Sequence, residues 1–210
     1  TITIDTTAPD APTSLTNISD ENDSTPTLSG TAEANSTITL KDGDDVIGTG
    51  TVDSSGDFSV TTSSALDDGQ YSVKLTSTDA AGNVSSKSSA LTITIDTTAP
   101  DAPTSLATSA TTTSDSTPTI TGNAEADSKV TLFIDSSTLG TTTADSNGAF
   151  SFTPSSPISD GKYSIKATST DSAGNVSSKS SALTITIDTT APDAPTSLAT
   201  SATTTSDSTP

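Results

Sequence analysis

Carboxylates are the residues of this sequence with the number and the spacing to do chemistry. Aspartate and glutamate total 26 against seven lysines and arginines, a net charge of −19, and histidine and cysteine are both absent. The acids are periodic: Asp5 and Asp10 recur as Asp96 and Asp101, and Glu33 and Asp79 recur as Glu125 and Asp171. Hard oxygen donors of this kind, joined by amide and backbone oxygens and by water, suit a calcium ion, which takes roughly six to eight oxygen ligands. Paired carboxylates could also hydrolyse a glycoside, but with aromatics at 3% there is no aromatic cleft to bind a sugar. Serine and threonine abound, yet no histidine can act as their base, no motif supports a serine–lysine pair, and no glycine-rich phosphate loop occurs. The expectation is a protein that is not an enzyme. Its charge has the wrong sign for nucleic acid or an anionic membrane, and without cysteine neither a disulfide nor a thiolate metal site can form.

The elements that must position these acids are announced by one stretch, Thr-Ile-Thr-Ile-Asp-Thr-Thr-Ala-Pro-Asp-Ala-Pro-Thr-Ser-Leu, which begins at Thr1, Thr92 and Thr184, periods of 91 and 92 residues. Ile2 and Ile4 alternate with threonines as in a half-buried strand. Pro9 and Pro12 then forbid a helix or a central strand, because each removes a backbone donor and drives the residue before it into extended geometry. The stretch reads as a closing strand, a stiff connector and the opening strand of the next unit.

Between these joints the apolar residues alternate in short runs punctuated by turn residues. In the first unit the pattern predicts strands over about 13–18, 25–32, 36–40 and 46–52, around Phe58 and Val60, and over about 71–78 and 90–95. In the second, Ile120, Val130, Leu132, Phe150, Phe152, Tyr163, Ile165, Leu183, Ile185 and Ile187 take the matching core positions. The one-residue difference in period falls in the acidic turn after the first strand, where an insertion leaves the pleat intact. Seven short strands separated by turns imply a two-sheet sandwich. Residues 1–10 are then a preceding unit's last strand and connector, 11–97 the first repeat, 98–189 the second, and 190–210 a connector with an incomplete third copy. Disorder is expected over about 194–210. Because the chain opens and closes mid-repeat, it is expected to be a segment of a longer protein, with export signals and anchors elsewhere.

Four marks occur in order in both units: Asp-Thr-Thr-Ala-Pro (Asp5 to Pro9, Asp96 to Pro100), Gly-Thr/Asn-Ala-Glu-Ala (Gly30 to Ala34, Gly122 to Ala126), Asp-Gly-x-Tyr (Asp68 to Tyr71, Asp160 to Tyr163) and Thr-Asp-x-Ala-Gly-Asn-Val-Ser (Thr78 to Ser85, Thr170 to Ser177). With them the sequence resembles the bacterial immunoglobulin-like repeats of giant surface adhesins, including the repeats-in-toxin type. The resemblance implies an all-β chain of tandem seven-stranded sandwiches in a linear array. It also implies an extracellular place on the bacterial cell surface and a structural role: a stalk projecting a distal binding domain, with calcium at the joints in several members. The implied partners are neighbouring repeats of the same chain, while a host-cell, glycan or surface ligand would be bound by other domains. No oligomer, nucleic acid or membrane insertion is expected. The alternatives are a ligand-binding module using the loops of one pole for glycan or protein, and a linker array within a secreted enzyme.

In an immunoglobulin-type topology the opening strand and alternate loops meet at one pole. That pole gathers Asp96, Asp101, Glu125, Asp145, Asp171 and Asn175 in the second unit, and Asp5, Asp10, Glu33, Asp53, Asp79 and Asn83 in the first. The candidate calcium ligands are Asp5, Asp10, Glu33 and Asp79 at one joint and Asp96, Asp101, Glu125 and Asp171 at the next, with solvated loop charge as the alternative. Asp53 and Asp145 sit in Asp-x-x-Gly turns and read as turn formers. Asn83 and Asn175 read as fixing their loops. The acidic turn at 19–24 has fewer acidic counterparts in the second unit, where Asp115 stands, so no shared site is expected there; the turn at 42–45 has only Asp135 opposite it and reads as solvated. Tyr71 and Tyr163 are expected to send their hydroxyls back to upstream backbone, as a tyrosine corner does.

Overall fold

The computed structural model of the chain describes residues 4–17 and 20–197. No helix occurs among them, and none is therefore long and apolar enough to cross a membrane. The strands of the first repeat are β1 (Thr13–Asn17), β2 (Thr27–Thr31), β3 (Thr37–Asp42), β4 (Asp45–Thr51), β5 (Asp57–Thr61), β6 (Gly69–Thr78) and β7 (Leu91–Ile95). Those of the second are β8 (Thr104–Thr108), β9 (Thr112–Thr113), β10 (Ile120–Asn123), β11 (Lys129–Ile134), β12 (Ser137–Thr143), β13 (Ala149–Phe152), β14 (Gly161–Thr170) and β15 (Leu183–Ile187). Each repeat is two facing sheets: β1-β2-β5 against β4-β3-β6-β7, and β8-β10-β13 against β12-β11-β14-β15-β9. Every pairing is antiparallel except the short parallel contact of β9 with β15.

Alternation explains the two layers. On β3 Ile38 and Leu40 point inward between outward threonines, and on β6 Val73, Leu75 and Ser77 do the same. Ile93 and Ile95 of β7 complete this face, while Leu28, Phe58 and Val60 supply the facing sheet. The second repeat uses Ile120, Val130, Leu132, Phe150, Ile165, Ile185 and Ile187 as buried core, with Phe152, Tyr163 and Leu183 half-buried against them. Ala144, Ile158 and Ala167 also enter this core, although nothing in their local pattern sets them apart. β4 pairs with β3, and β12 with β11, because the turn between them holds two residues, Gly43-Asp44 or Asp135-Ser136, whose first member is left-handed (φ 60° at Gly43, 52° at Asp135). Such a turn can only return the chain beside itself.

A core this thin is completed by serine. The segments joining β6 to β7 and β14 to β15 are not regular strands, yet serines zip them onto the neighbouring strand. Ser85 N–H donates to Ser77 O (2.9 Å) and Ser77 N–H donates to Ser85 Oγ (2.9 Å). Three residues on, Ser88 N–H donates to Leu75 O and Leu75 N–H to Ser88 Oγ (3.0 Å). Ser77 Oγ then donates to Ser36 Oγ and Ser36 Oγ to Glu33 O, each at 2.6 Å, so the chain of bonds crosses to the loop after β2. Ser177, Ser169, Ser180 and Ser128 reproduce every one of these bonds in the second repeat. Burying a hydroxyl is costly unless it is bonded, and here it stands in for missing backbone partners.

Of the sequence-based expectations, residues 1–3, the end of the first strand at Ile18, the start of the following turn at Ser19, and residues 198–210 lie outside the described residues. Ile4 and residues 194–197 carry no strand. Substituting Ser177→Ala takes the acceptor from the buried Ser169 N–H; this should cost about 1–3 kcal/mol, the penalty of an unpaired buried donor. Urea denaturation of the two proteins, with midpoints compared at constant slope, measures it.

Candidate functional site

The loop after β10 and the loop after β12 meet at one pole: Ala124 N–H donates to Gly148 O (2.8 Å) and Ala144 N–H to Ser128 O (3.0 Å). The segment entering β8 and the loop after β14 close on the same pole, since Asn175 Nδ2 donates to Asp96 O (2.8 Å). The opening connector of the first repeat is gripped in the same way, Asn83 Nδ2 reaching Asp5 O at 3.2 Å.

The acids expected to share one cation fall into two sets at this pole. Asp171, with Asn175, forms the first. Asp171 Oδ1 accepts from Asn175 N–H (2.8 Å) and Oδ2 from Asn175 Nδ2 (2.9 Å), and that amide bridges onward to the Asp96 carbonyl. Asp79 holds Asn83 likewise, its Oδ1 also accepting from Ala81 N–H. The carboxylates of Asp5 and Asp96 turn onto their own chain, receiving Thr7 N–H (2.9 Å) and Thr98 N–H (3.1 Å). The second set is Asp101 with Glu125, both exposed and lining an open groove of about 350 Å³ with Ala102, Thr104, Asn123 and Ala124. Asp10 and Glu33 line the matching groove of about 460 Å³ in the first repeat. Among the described residues no three acidic side chains stand together as a ready-made metal site. Asp53 and Asp145 act within their turns: Asp53 Oδ1 accepts from Ser55 and Asp57 N–H, Asp145 Oδ1 from Asn147 and Ala149 N–H. Tyr71 and Tyr163 donate to the carbonyls of Asp67 (2.9 Å) and Ser159 (3.1 Å), each four residues upstream.

Asp68 and Asp160 play a part that their sequence context did not reveal. They stand at the opposite pole, just before β6 and β14, in Asp-Gly pairs that read as plain turns. The Asp68 carboxylate reaches across to the connector leaving β7, accepting from Thr97 N–H (2.8 Å), Thr97 Oγ1 (2.8 Å) and Thr98 Oγ1 (2.6 Å). Asp160 binds Thr189 N–H (3.0 Å), Thr189 Oγ1 (2.8 Å) and Thr190 Oγ1 (3.0 Å). The available signal was the recurrence of Asp-Gly and Asp-Thr-Thr together in each unit, and only contact shows that one binds the other. Asp96 N–H meanwhile donates to Glu21 O (2.8 Å). Residues 96–98 are thus held by the first repeat through Asp68 and Glu21, and by the second through Asn175.

These hydrogen bonds favour the ionised acids. Asp68 is held below the ordinary carboxylate range by the Thr98 hydroxyl and by the Thr97 amide and hydroxyl. Asp160 is lowered by the Thr189 hydroxyl and amide and by the Thr190 hydroxyl. The Asn83 side chain lowers Asp79. At Asp171 partial burial pushes upward, but the Asn175 side chain and the loop amides outweigh it, so this carboxyl too is lowered. A carboxyl with a depressed folded-state pKa contributes stability that is complete above its unfolded value, about 3.9 for Asp, and fades as the pH falls through the folded value. The contribution should therefore be unchanged from neutrality to about pH 5, begin to decline near about pH 4, and be lost only as the pH falls through the lower folded-state values. Double substitution Asp68→Asn and Asp160→Asn should flatten that acid limb, read as thermal midpoints at closely spaced pH values.

Comparison with known proteins places these units. Residues 8–95 match the family described as Bacterial Ig domain, and residues 99–189 match the family described as Bacterial Ig-like domain. The two matches leave out residues 96–98, the connector held from both sides. No curated protein matches the chain. Among solved structures, the BSP domain of a biofilm associated protein is 23% identical, covering 86% of this chain and 30% of its own, at a TM-score of 0.35. A tetra-tandem repeat in the extending region of a large adhesion protein is 26% identical, covering 89% of this chain and 51% of its own, at a TM-score of 0.38. The chain thus spans 30% and 51% of the lengths of these two. The fibronectin(III)-like modules of Clostridium thermocellum CbhA, 14% identical over 82% of this chain and 93% of theirs, share the fold at a TM-score of 0.50.

Proposed function

Both repeats of this chain belong to the bacterial Ig-like domain family, and from that premise we propose that the chain is an extender segment, a spacer in the stalk of a secreted or cell-surface bacterial adhesin. Its work is to hold a distal binding domain away from the cell. The observation that carries this reading is the connector at 96–98, whose amides, hydroxyls and a carbonyl are bound by both flanking repeats. A spacer resists collapse only if its joints resist bending, and a joint of three residues with fixed hydrogen bonds does so. The surface chemistry agrees: a net charge of −19 keeps like segments apart and soluble.

The joints are also where a divalent cation would act. Exposed Asp101 and Glu125, and their counterparts Asp10 and Glu33, line grooves open to hard oxygen-binding cations. Asp5, Asp79, Asp96 and Asp171 stand on the flanking connector and loop, so the same ion could draw further carboxylate and carbonyl oxygens from them. Bound calcium would neutralise carboxylates that otherwise repel one another. The protein's own part is to present two grooved acids per repeat beside a connector that is already fixed.

Small-angle scattering on the 210-residue chain, with excess calcium and then with chelator, tests both parts. A spacer should show a maximum dimension of at least about 65 Å, two repeats end to end with ten-residue strands rising about 3.3 Å per residue. A compact folded-back particle in both conditions would remove the spacer reading. Sharpening of the profile on adding calcium supports stiffening by metal, whereas superimposable profiles would eliminate it and leave the spacer.

A further inference from the structure

The three copies of the Asp-Thr-Thr connector present the joint in three states of assembly. At Asp188 the upstream hold is present by itself: Asp160 binds Thr189 and Thr190, Thr190 N–H returns to Asp188 Oδ1 (3.1 Å), and Asp188 N–H donates to Thr113 O (3.0 Å). Among the described residues no loop amide reaches the Asp188 carbonyl as Asn175 reaches that of Asp96. At Asp5 the downstream capture by Asn83 is described. At Asp96 both occur together, through the same donors and acceptors. The upstream hold therefore takes the same form at Thr189, where no downstream capture occurs among the described residues, as at Thr97, where Asn175 adds one.

Further contacts mark the capture as a contact between repeats. Gly174, in the capturing loop, approaches the first repeat so closely that a β-carbon there would lie 3.3 Å from Asn22 Nδ2, whereas the equivalent Gly82 has open space. The neighbouring Ala173 is buried, at 7% exposure, while its counterpart Ala81 is exposed. Asp96 is partly covered, but Asp5 and Asp188 are exposed.

We infer that each joint is built from two half-clasps that form independently: an Asp-Gly aspartate of the upstream repeat pins the two threonines, and the Asp-x-Ala-Gly-Asn loop of the downstream repeat captures the aspartate carbonyl. The Asp188 carbonyl is then the docking point for the loop of a following copy, and Asn175 is the residue that sets orientation at the joint within this chain. The inference deepens the spacer reading and rests on it for its purpose, but it requires no metal. Because the connector's shape is set upstream, each added repeat meets a preformed seat and loses little freedom in docking.

The test uses the whole isotope-labelled chain in chelator, with residual dipolar couplings and amide exchange. In the native chain both repeats should report one common alignment tensor, and Thr97 and Thr189 amides should be protected alike. Asn175→Ala should split the tensor in two while Thr97 protection persists. Asn83→Ala, the same change in the loop of the first repeat, should leave the tensor common, which controls for simple damage to a loop. Asp160→Ala should strip protection from Thr189 alone. A common tensor retained in Asn175→Ala, or protection lost from Thr97 in that variant, would overturn the inference. If the native chain shows two tensors in chelator that merge on adding calcium, the half-clasp inference fails and the spacer reading stands. Two tensors under both conditions would defeat the two together.

Discussion

The bond between the Ser169 amide and the Ser177 hydroxyl, with its twin between Ser77 and Ser85, is the point on which loop and joint both depend. An inner strand of the sandwich such as β14 needs a partner on each side along its length, and the segment after β14 is too irregular to give one through backbone alone. The serine hydroxyl makes up the difference, accepting from the strand amide and donating to the carbonyl of the next residue, Ser178 (2.9 Å). Both of its capacities are thus used inside the fold. Two residues before Ser177 stands Asn175. Its reach to the Asp96 carbonyl is exact only because the chain on either side is pinned to β14. Core, loop and joint form one mechanical series.

The acids of the joint follow a division of labour set by their donors. Asp68, Asp79, Asp160 and Asp171 are surrounded by amide and hydroxyl hydrogens and behave as structural acceptors, their negative charge stabilised by short bonds. Asp10, Glu33, Asp101 and Glu125 instead face open grooves. Their charge is left to water, salt or a cation, and their repulsion is screened over about 8–10 Å at physiological ionic strength. The first group is committed to bonds within the fold, and the second is left open to solvent.

A row of such units behaves as a one-dimensional chain in which each repeat touches only its neighbours. Its stiffness is decided at the connectors, since the sandwiches themselves are closed by their own cores. Three connector residues bound from both ends leave few soft dihedrals, and the prolines that follow remove more. The length of the row can then grow by duplication with no new contact to be invented, as the copying of 92–118 in 184–210 illustrates.

The sequence by itself determined the period, the layers and most of the strands, though not the two-residue β9 or the absence of a strand at Ile4. Ile38 and Leu40, Phe58 and Val60, and Ile93 and Ile95 alternate so regularly that only one face of each strand could be buried. The turn at Asp53 and the bond of Tyr71 were legible for the same reason: each follows from local chemistry. Tertiary structure decided the rest. Asp68 gives no local sign that its partners lie 29 and 30 residues away, and the serines of 85 and 88 look like any polar loop until β6 is laid beside them. Only packing could split the expected ligands into bonded and grooved sets. Hydrophobic alternation is written residue by residue along the chain, whereas a hydrogen bond between distant loops exists only once the fold has brought donor and acceptor together.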